Sequence, residues 1–284
     1  MKILVTGGSG RIGRYVVRDL METGHEVTHV DLISPSDRLS GYLRVDLTDA
    51  GEVYQALAKA QAEAVVHLGA WASAGLVPDT RTYGDNVRST FHILQACADL
   101  GVKRVIIASS AQVYGLAKAP PLYLPMDEDH PLRPVNCYAL SKIAGEQAGH
   151  YFVSNWGLSV LSFRFMGIRT PAEINAEIEG IVHDPSSDTR LLWTRTDARD
   201  AAMACRLAVE REEVPPGPYN ITGARVVLSE PTAVLVKRYF EKDTEIRSPL
   251  VRHCSPMSCA RAERSFGYQP RFLWSESDRY LETE

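Results

Sequence analysis

Short apolar runs rich in β-branched residues alternate along the chain with stretches whose apolar positions recur every three or four residues. Residues 2–6 form the first run. A glycine-rich turn follows, and then Ile12, Val16, Val17 and Leu20 take up helical spacing, which predicts strand, turn and helix in that order. The same logic predicts strands at 26–31 and 42–45, a helix at 51–60, a strand at 64–68, a helix at 82–100 and a strand at 103–109. Asn136 can cap a long helix reaching residue 155, Gly157 can end it, and 158–164 reads as the next strand. A helix fits 197–209 and a last sheet strand fits 219–222, after which weaker patterns suggest helices near 230–239 and 257–266. Such alternation builds an α/β fold, a doubly wound parallel sheet with helices on both faces.

The 284 residues suit one large unit with a small annex better than two independent domains. Hydrophobic residues at 45% and charged residues at 23% are ordinary globular proportions, and a net charge of −4 offers no basic surface for duplex DNA or anionic lipid. Nucleic acid and membrane are therefore set aside as partners. Cys97, Cys137, Cys205, Cys254 and Cys259 follow no framework spacing, the habit of reduced thiols in the cytosol. The first residues run straight into the glycine turn, unlike a signal peptide, and no apolar run reaches spanning length, so the expected location is cytoplasmic.

The turn itself carries chemistry. Thr6-Gly7-Gly8-Ser9-Gly10-Arg11-Ile12-Gly13 spaces Gly7, Gly10 and Gly13 three apart between a predicted strand and a predicted helix. Gly7 permits the tight turn, Gly10 lets the backbone approach a pyrophosphate, and Gly13 lets the helix pack on the strand. The diphosphate then meets free N–H groups at a helix start. Asp31 ends the second strand where a carboxylate can accept both ribose hydroxyls of adenosine, which favours NAD over NADP. Arg11 and Arg38 are the residues whose guanidinium groups could instead hold a 2′-phosphate. The expected architecture is thus a Rossmann-type sheet. Residues 1–165 form an NAD-binding domain, residues 166–284 form mainly a small mixed substrate-binding segment, and the strand near 219–222 rejoins the sheet.

Tyr138 and Lys142 stand four apart on a predicted helix, a spacing that stacks phenol and ammonium on one face. Oxidising an alcohol requires a base for its proton while hydride leaves for a nicotinamide, and a free phenol with pKa about 10 is mostly protonated at neutral pH. A lysine cation and the positive cofactor ring favour the phenolate. Ser109 and Ser110 put hydroxyls at the carboxyl end of a central strand, where open α/β sheets bind ligands, and Ser110 is the candidate for orienting the substrate oxygen. Taken alone, a tyrosine and lysine four apart usually mark a solvated face; beside a nucleotide turn they read as a catalytic pair.

These residues give the chain a resemblance to the extended short-chain dehydrogenase/reductase superfamily, within it to the NAD-dependent epimerase/dehydratase family, from Met1 to Tyr268. The likeness is carried by Thr6 to Gly13, Asp31, Asp46-Leu47, His67 to Ala70, Asn86-Val87, Ser109 to Gly115, Tyr138 to Lys142, and Arg199-Asp200-Ala201. The resemblance implies that Asp31 holds ribose, Asp46 and Leu47 lie along adenine, and Leu68, Gly69 and Ala70 line the cofactor. Ile12, Ser109, Phe165 and Ile168 join that cofactor set, and Asn86 supports the helix near the active site. Ser110, Tyr138 and Lys142 carry over as the catalytic triad. A homodimer through the helices at 82–100 and 136–155 is also implied.

Departures from the family bear on substrate. Gly167 stands where nucleotide-sugar epimerases carry an Asn, and the segment from Gly167 to Asp200 is shorter than the one that wraps their nucleotide. Ala111-Gln112 replace the Asp-Glu pair of a dehydratase, which disfavours dehydration. The stretch Arg190 to Thr194 is similar to the substrate segment of uronate dehydrogenases, where an Arg holds a sugar carboxylate, and Arg190 becomes a candidate for that bidentate contact. Trp71, Gln112, Gly167 and Ser110 complete the candidate substrate set, with Trp193 a second tryptophan that could face substrate. Asp127-Glu128-Asp129 reads as a solvated loop. His253, Cys254 and Cys259 fall short of a metal-ligand pattern, so no metal is expected. The reading is an NAD-dependent oxidoreductase acting on a hydroxyl carbon of a sugar-like small molecule, as a UDP-sugar 4-epimerase that keeps its NAD or a uronate-type dehydrogenase that releases NADH. A non-catalytic dinucleotide sensor on the same fold is the alternative.

Overall fold

The computed structural model describes residues 1–35 and 40–274. The chain opens with β1 (Lys2–Thr6), α1 (Gly13–Glu22), β2 (Glu26–Asp31), β3 (Tyr42–Arg44), α2 (Ala50–Ala60), β4 (Ala64–His67), α3 (Asp79–Leu100), β5 (Arg104–Ser110), the two-residue β6 (Tyr123–Leu124) and α4 (Cys137–Trp156). It continues through β7 (Ser159–Phe165), β8 (Ile168–Arg169), α5 (Pro171–His183), β9 (Thr196–Asp197), α6 (Ala198–Glu210), β10 (Gly217–Ile221), α7 (Thr232–Phe240), β11 (Glu245–Ile246) and α8 (Ala260–Phe266). The expected strands fall within a residue or two of these bounds. The third helix starts three residues earlier than its apolar pattern, behind Pro78, whose ring suits a helix start.

Seven strands form one all-parallel sheet in the order β10-β7-β5-β4-β1-β2-β3. Strand order reverses between β1 and β4, which opens a crevice at their carboxyl ends. Residues of α1, α6 and α8 bury one face of the sheet, and residues of α2, α3 and α4 bury the other. This is the doubly wound Rossmann arrangement. A third apolar cluster, around Trp193, Met166, Ile178 and Leu235, packs the chain after β7 against Val113, Tyr114, Leu124 and Met126.

One helix was absent from the sequence expectation. α5 begins with a capping box in which Thr170 accepts from Glu173 N and Glu173 accepts from Thr170 N, with Pro171 in the first turn. Ile174, Ile178 and Ile181 form its buried stripe. Glu128 is a correction. It is buried, with Oε1 accepting from Asn220 N at 2.8 Å, and burial raises its pKa, so this acid of the run is not solvated, whereas Asp129 is exposed as expected. Asp200 is buried at the first turn of α6 and accepts from the backbone N–H of Arg271 and Phe272, which ties the C-terminal strap to that helix. Burial pushes its carboxyl up to about 7.

Two buried polar knots join the layers. Thr6 Oγ1 accepts from Leu68 N at 3.1 Å and Gly69 N at 3.0 Å, so its own proton goes to His67 Nδ1, 2.7 Å away. His67 Nε2–H then donates to Thr90 Oγ1, which donates to the Asn86 carbonyl. Burial, assisted by the Lys142 charge, lowers His67 to about 3 and keeps it neutral. In the second knot Arg164 meets Glu146 through Nε at 2.9 Å and Nη2 at 2.6 Å, and its Nη1 donates to the Tyr114 hydroxyl and the Glu128 carbonyl. Both partners are nearly sealed from water, so the pair is held by its full complement of bonds.

Two outcomes are expected. Because His67 titrates near 6.5 when unfolded and near 3 when folded, the unfolded chain binds the extra proton between those values. Unfolding free energy should therefore fall as pH drops below about 6.5, with a slope approaching ~1.4 kcal/mol per pH unit from this group, and denaturant melts of His67→Gln should lack that component. Replacing Glu146 by Ala strands a buried guanidinium, and chemical denaturation should show a loss of about 3 kcal/mol or more.

Candidate active site

The crevice between β1 and β4 widens into a cleft of about 430 Å³, walled by the glycine turn, the end of β2, the segment after β3 and the loop after β4. Close backbone packing shapes the glycine wall. A Cβ on Gly13 would lie 2.0 Å from the Gly7 carbonyl oxygen, and one on Gly7, which sits at φ +68, would lie 2.7 Å from Gly69 N. Side chains here would block the turn itself. Ser9 Oγ is sealed from solvent and has no hydrogen-bond partner among the described residues. A bare cradle with a waiting hydroxyl at the foot of a helix fits a diphosphate.

Asp31 lies at the next strand end, its Oδ2 accepting from Ser9 N and its Oδ1 from Ile33 N, both at 3.2 Å. Each oxygen keeps a further lone pair for a ribose hydroxyl. Asp46 turns its Oδ1 toward Thr48 N and Oγ1, which hold its carboxyl below the usual range. Leu47 packs against Gly69, where any Cβ would meet its Cδ1 at 2.4 Å. Arg11, Ile12, Leu68, Ala70 and Asn86 line the same cleft, so most of the expected cofactor set converges. Arg38 lies outside the described residues.

The expected triad occupies the carboxyl end of β5 and the first turns of α4. Asn136 caps α4 through Ala139 N, which sets Tyr138 and Lys142 on the turn facing β5. Tyr138 is 7% exposed, Ser110 8% and Lys142 9%. The Ser110 hydroxyl, which accepts from Gln112 N at 3.2 Å, lies near the Tyr138 phenol, and Lys142 Nζ lies 5.4 Å from the centre of the phenol ring. Burial pushes Tyr138 up to about 12, against the opposing pull of the nearby Ser110 hydroxyl and the Arg11 charge. Burial also draws Lys142 down to about 8. The expected acidification of the phenol by lysine is thus outweighed by desolvation of the phenol itself.

Asn86 buttresses this corner. Its Oδ1 accepts from Trp71 N at 2.8 Å, and its Nδ2 donates to the Trp71 carbonyl and to Ser141 Oγ, both at 3.1 Å. The loop after β4 and helix α4 are thereby fixed to α3. Trp71 reaches the cleft, its Nε1–H donating to Asp85 and the Arg81 guanidinium lying 5.2 Å above its ring.

Other expected residues stand elsewhere. The Ser109 hydroxyl donates to Glu146, so its proton is engaged away from the cleft. Trp193 is fully buried against Tyr239 and Phe240 and donates to the Pro185 carbonyl, so it faces no substrate. Arg190 is exposed beside Asp188 on the short helical turn before Leu192. The buried arginine of that segment is Arg195, held by Asp188 and Glu177 and lying beside Gly167. Gln112 joins the loop after β5 to α4 by accepting from Asn136 Nδ2. Phe165 and Ile168 belong to the apolar cluster under the sheet. Sequence reasoning gave no role to Arg81, Asp85 or the His67 knot; Asp85, four residues after Arg81 on α3, was the available signal.

Known proteins share this arrangement. The profile of the NAD dependent epimerase/dehydratase family matches residues 3–183. A UDP-glucose 4-epimerase of Lactobacillus helveticus is 31% identical over 178 residues, 59% of this chain and 52% of that protein. One from Bacillus subtilis (strain 168) is 30% identical over 199 residues, 64% of this chain and 58% of that protein. The chain matches about half the length of these curated relatives. Among solved structures, a short-chain dehydrogenase/reductase superfamily protein from Agrobacterium tumefaciens with bound NAD superposes with a TM-score of 0.72 at 25% identity, over 95% of this chain and 93% of that one. A Thermotoga maritima UDP-glucose 4-epimerase with UDP-glucose gives 0.73 at 21% identity, over 96% and 94%, a likeness in fold. With the profile accounting for well over half of its length, the chain belongs to the NAD-dependent epimerase/dehydratase family.

Proposed function

We propose that this protein binds NAD and oxidises a hydroxyl carbon of a sugar-like substrate, with Tyr138 as the group that exchanges the hydroxyl proton. The observation that carries this reading is the burial of Ser110, Tyr138 and Lys142 together, with Lys142 Nζ 5.4 Å from the centre of the Tyr138 ring, next to a glycine cradle that excludes side chains. Bound NAD would supply the hydride acceptor and a positive charge near the phenol. Asp31 would hold the adenosine ribose, and Gly7, Gly10 and Gly13 would leave room for the diphosphate. Ser110 would orient the substrate oxygen, and Tyr138 would accept its proton as the carbon becomes a carbonyl. Lys142, at about 8, carries enough charge at neutral pH to favour the phenolate once a second cation lies nearby. The relatives named as UDP-glucose 4-epimerases and the neighbour with bound NAD support a sugar and this coenzyme.

A second copy of the chain is the proposed partner. Tyr83, Phe91, Leu140, Tyr151 and Trp156 are exposed large apolar residues on α3 and α4, the pair of helices the family resemblance assigns to a dimer.

Three measurements test these readings. Mixing the protein with NAD and nucleotide sugars or sugar acids should give product. Net NADH absorbance identifies a dehydrogenase, whereas a new sugar epimer without NADH identifies an epimerase; no turnover with any sugar sinks the proposal. Tyr138→Phe should lower turnover about a thousandfold while calorimetry records unchanged NAD affinity, and unaltered turnover would favour a dinucleotide sensor. Sedimentation should report a dimer that Tyr151→Glu dissociates; a monomeric wild type removes that part of the reading.

A further inference from the structure

We infer that the ion pair between Arg11 and Glu173 is a clasp that sets how long the coenzyme stays in its cleft. The inference rests on the proposed NAD-dependent function and concerns the retention step.

Arg11 sits inside the glycine turn and lines the cleft, and its Nη1 meets Glu173 Oε1 at 3.1 Å. The two residues are 162 positions apart. Among the described residues no other ion pair joins the glycine turn to the C-terminal segment. Glu173 is not a loose surface acid. Its Oε2 accepts from Thr170 N in the capping box, so the start of α5 fixes the direction from which Oε1 reaches Arg11. The bonds from Thr170 and Arg11 together hold the Glu173 carboxyl below its usual range, though desolvation opposes them.

The guanidinium has bonding capacity left. Nε and Nη2 of Arg11 have no partner among the described residues, and the unpartnered Ser9 hydroxyl stands in the same turn. A diphosphate seated on the glycine N–H groups would bring its oxygens to those free donors while Nη1 keeps Glu173. The Arg11 charge also favours the ionised form of the Tyr138 phenol, so the same guanidinium serves the cleft and the catalytic corner. Leaving the cleft then requires the diphosphate to part from an arginine that α5 holds in place. At 46% and 37% side-chain exposure the pair alone is weak. Its effect lies in holding Arg11 where the coenzyme needs it, since a pre-oriented donor costs less entropy to engage. Slow release suits an enzyme that must return hydride to the same sugar, and fast release suits one that discharges NADH at every turnover.

The test uses the full chain loaded with NADH, whose fluorescence reports dissociation in a stopped-flow experiment when excess NAD is added. Glu173→Gln removes the charge yet keeps an acceptor for Thr170 N, so the cap of α5 survives. NADH should leave about fivefold faster from this variant, and at least as fast from Arg11→Ala. The double variant should match Arg11→Ala, because the carboxylate acts only through the arginine. An unchanged or slower rate in Glu173→Gln overturns the clasp, and so do effects of the two substitutions that multiply in the double variant. A wild type that binds no NADH fails earlier, at the function reading, and takes the clasp with it.

Discussion

The structure turns on a place where main chain touches main chain. Gly7, Gly13 and Gly69 bring the ends of β1 and β4 and the start of α1 so close that a single Cβ would collide with backbone. That contact creates a surface of bare N–H groups at a helix start, at the point where strand order reverses. Thr6 locks it from beneath, because one hydroxyl accepts the two N–H groups that follow β4 and passes its proton to His67. The cradle and the packing of β1, β4 and α3 are therefore one construction.

From that construction the catalytic corner inherits its geometry and its field. Asn86 fixes both the Trp71 loop and α4, and the turn of α4 it braces carries Ser141 and its neighbour Lys142. The same burial that orders Tyr138 and Lys142 works against charge on each, pushing the phenol up and the ammonium down. A proton on the phenol is the state this chain favours by itself. Cations brought close, Arg11 among them, oppose that preference. The site is thus poised by burial and adjusted by charge.

The chain after β7 is held by β10 in the sheet, by the apolar cluster around Trp193, and by a set of buried or half-buried carboxylates. Asp200 receives the strap at Arg271 and Phe272, Asp188 and Glu177 grip Arg195 beside Gly167, and Glu173 caps α5 while meeting Arg11. Asp200 stands on α6, Glu173 and Glu177 on α5, and Asp188 on the short turn that follows α5. Directional bonds supply the register that a long strand would otherwise provide.

Local pattern was enough for the strand and helix succession, the glycine turn, Asp31 and the Ser110, Tyr138 and Lys142 set, because each depends on spacing within one or two elements. α5 was equally local, written in Thr170, Pro171, Glu173 and the isoleucines that follow, yet its cap escaped notice beside the longer periodic helices. What residues far apart in the chain do to each other was not legible. Glu128 reads as one acid in a polar run until Asn220 arrives from a strand 92 positions away, and Trp193 reads as a ring that could face substrate until Tyr239 and Phe240 close over it. Ser109 and Ser110 are neighbours in sequence, but a strand sends them to opposite sides, one to Glu146 and the other to the turn that follows β5, where its hydroxyl accepts from Gln112 N. The sequence alone determined which chemistry the chain carries, since that follows from residue type at short spacing. Tertiary structure decided which groups are buried, paired and charged, since desolvation and ion pairing depend on neighbours that only folding brings into contact.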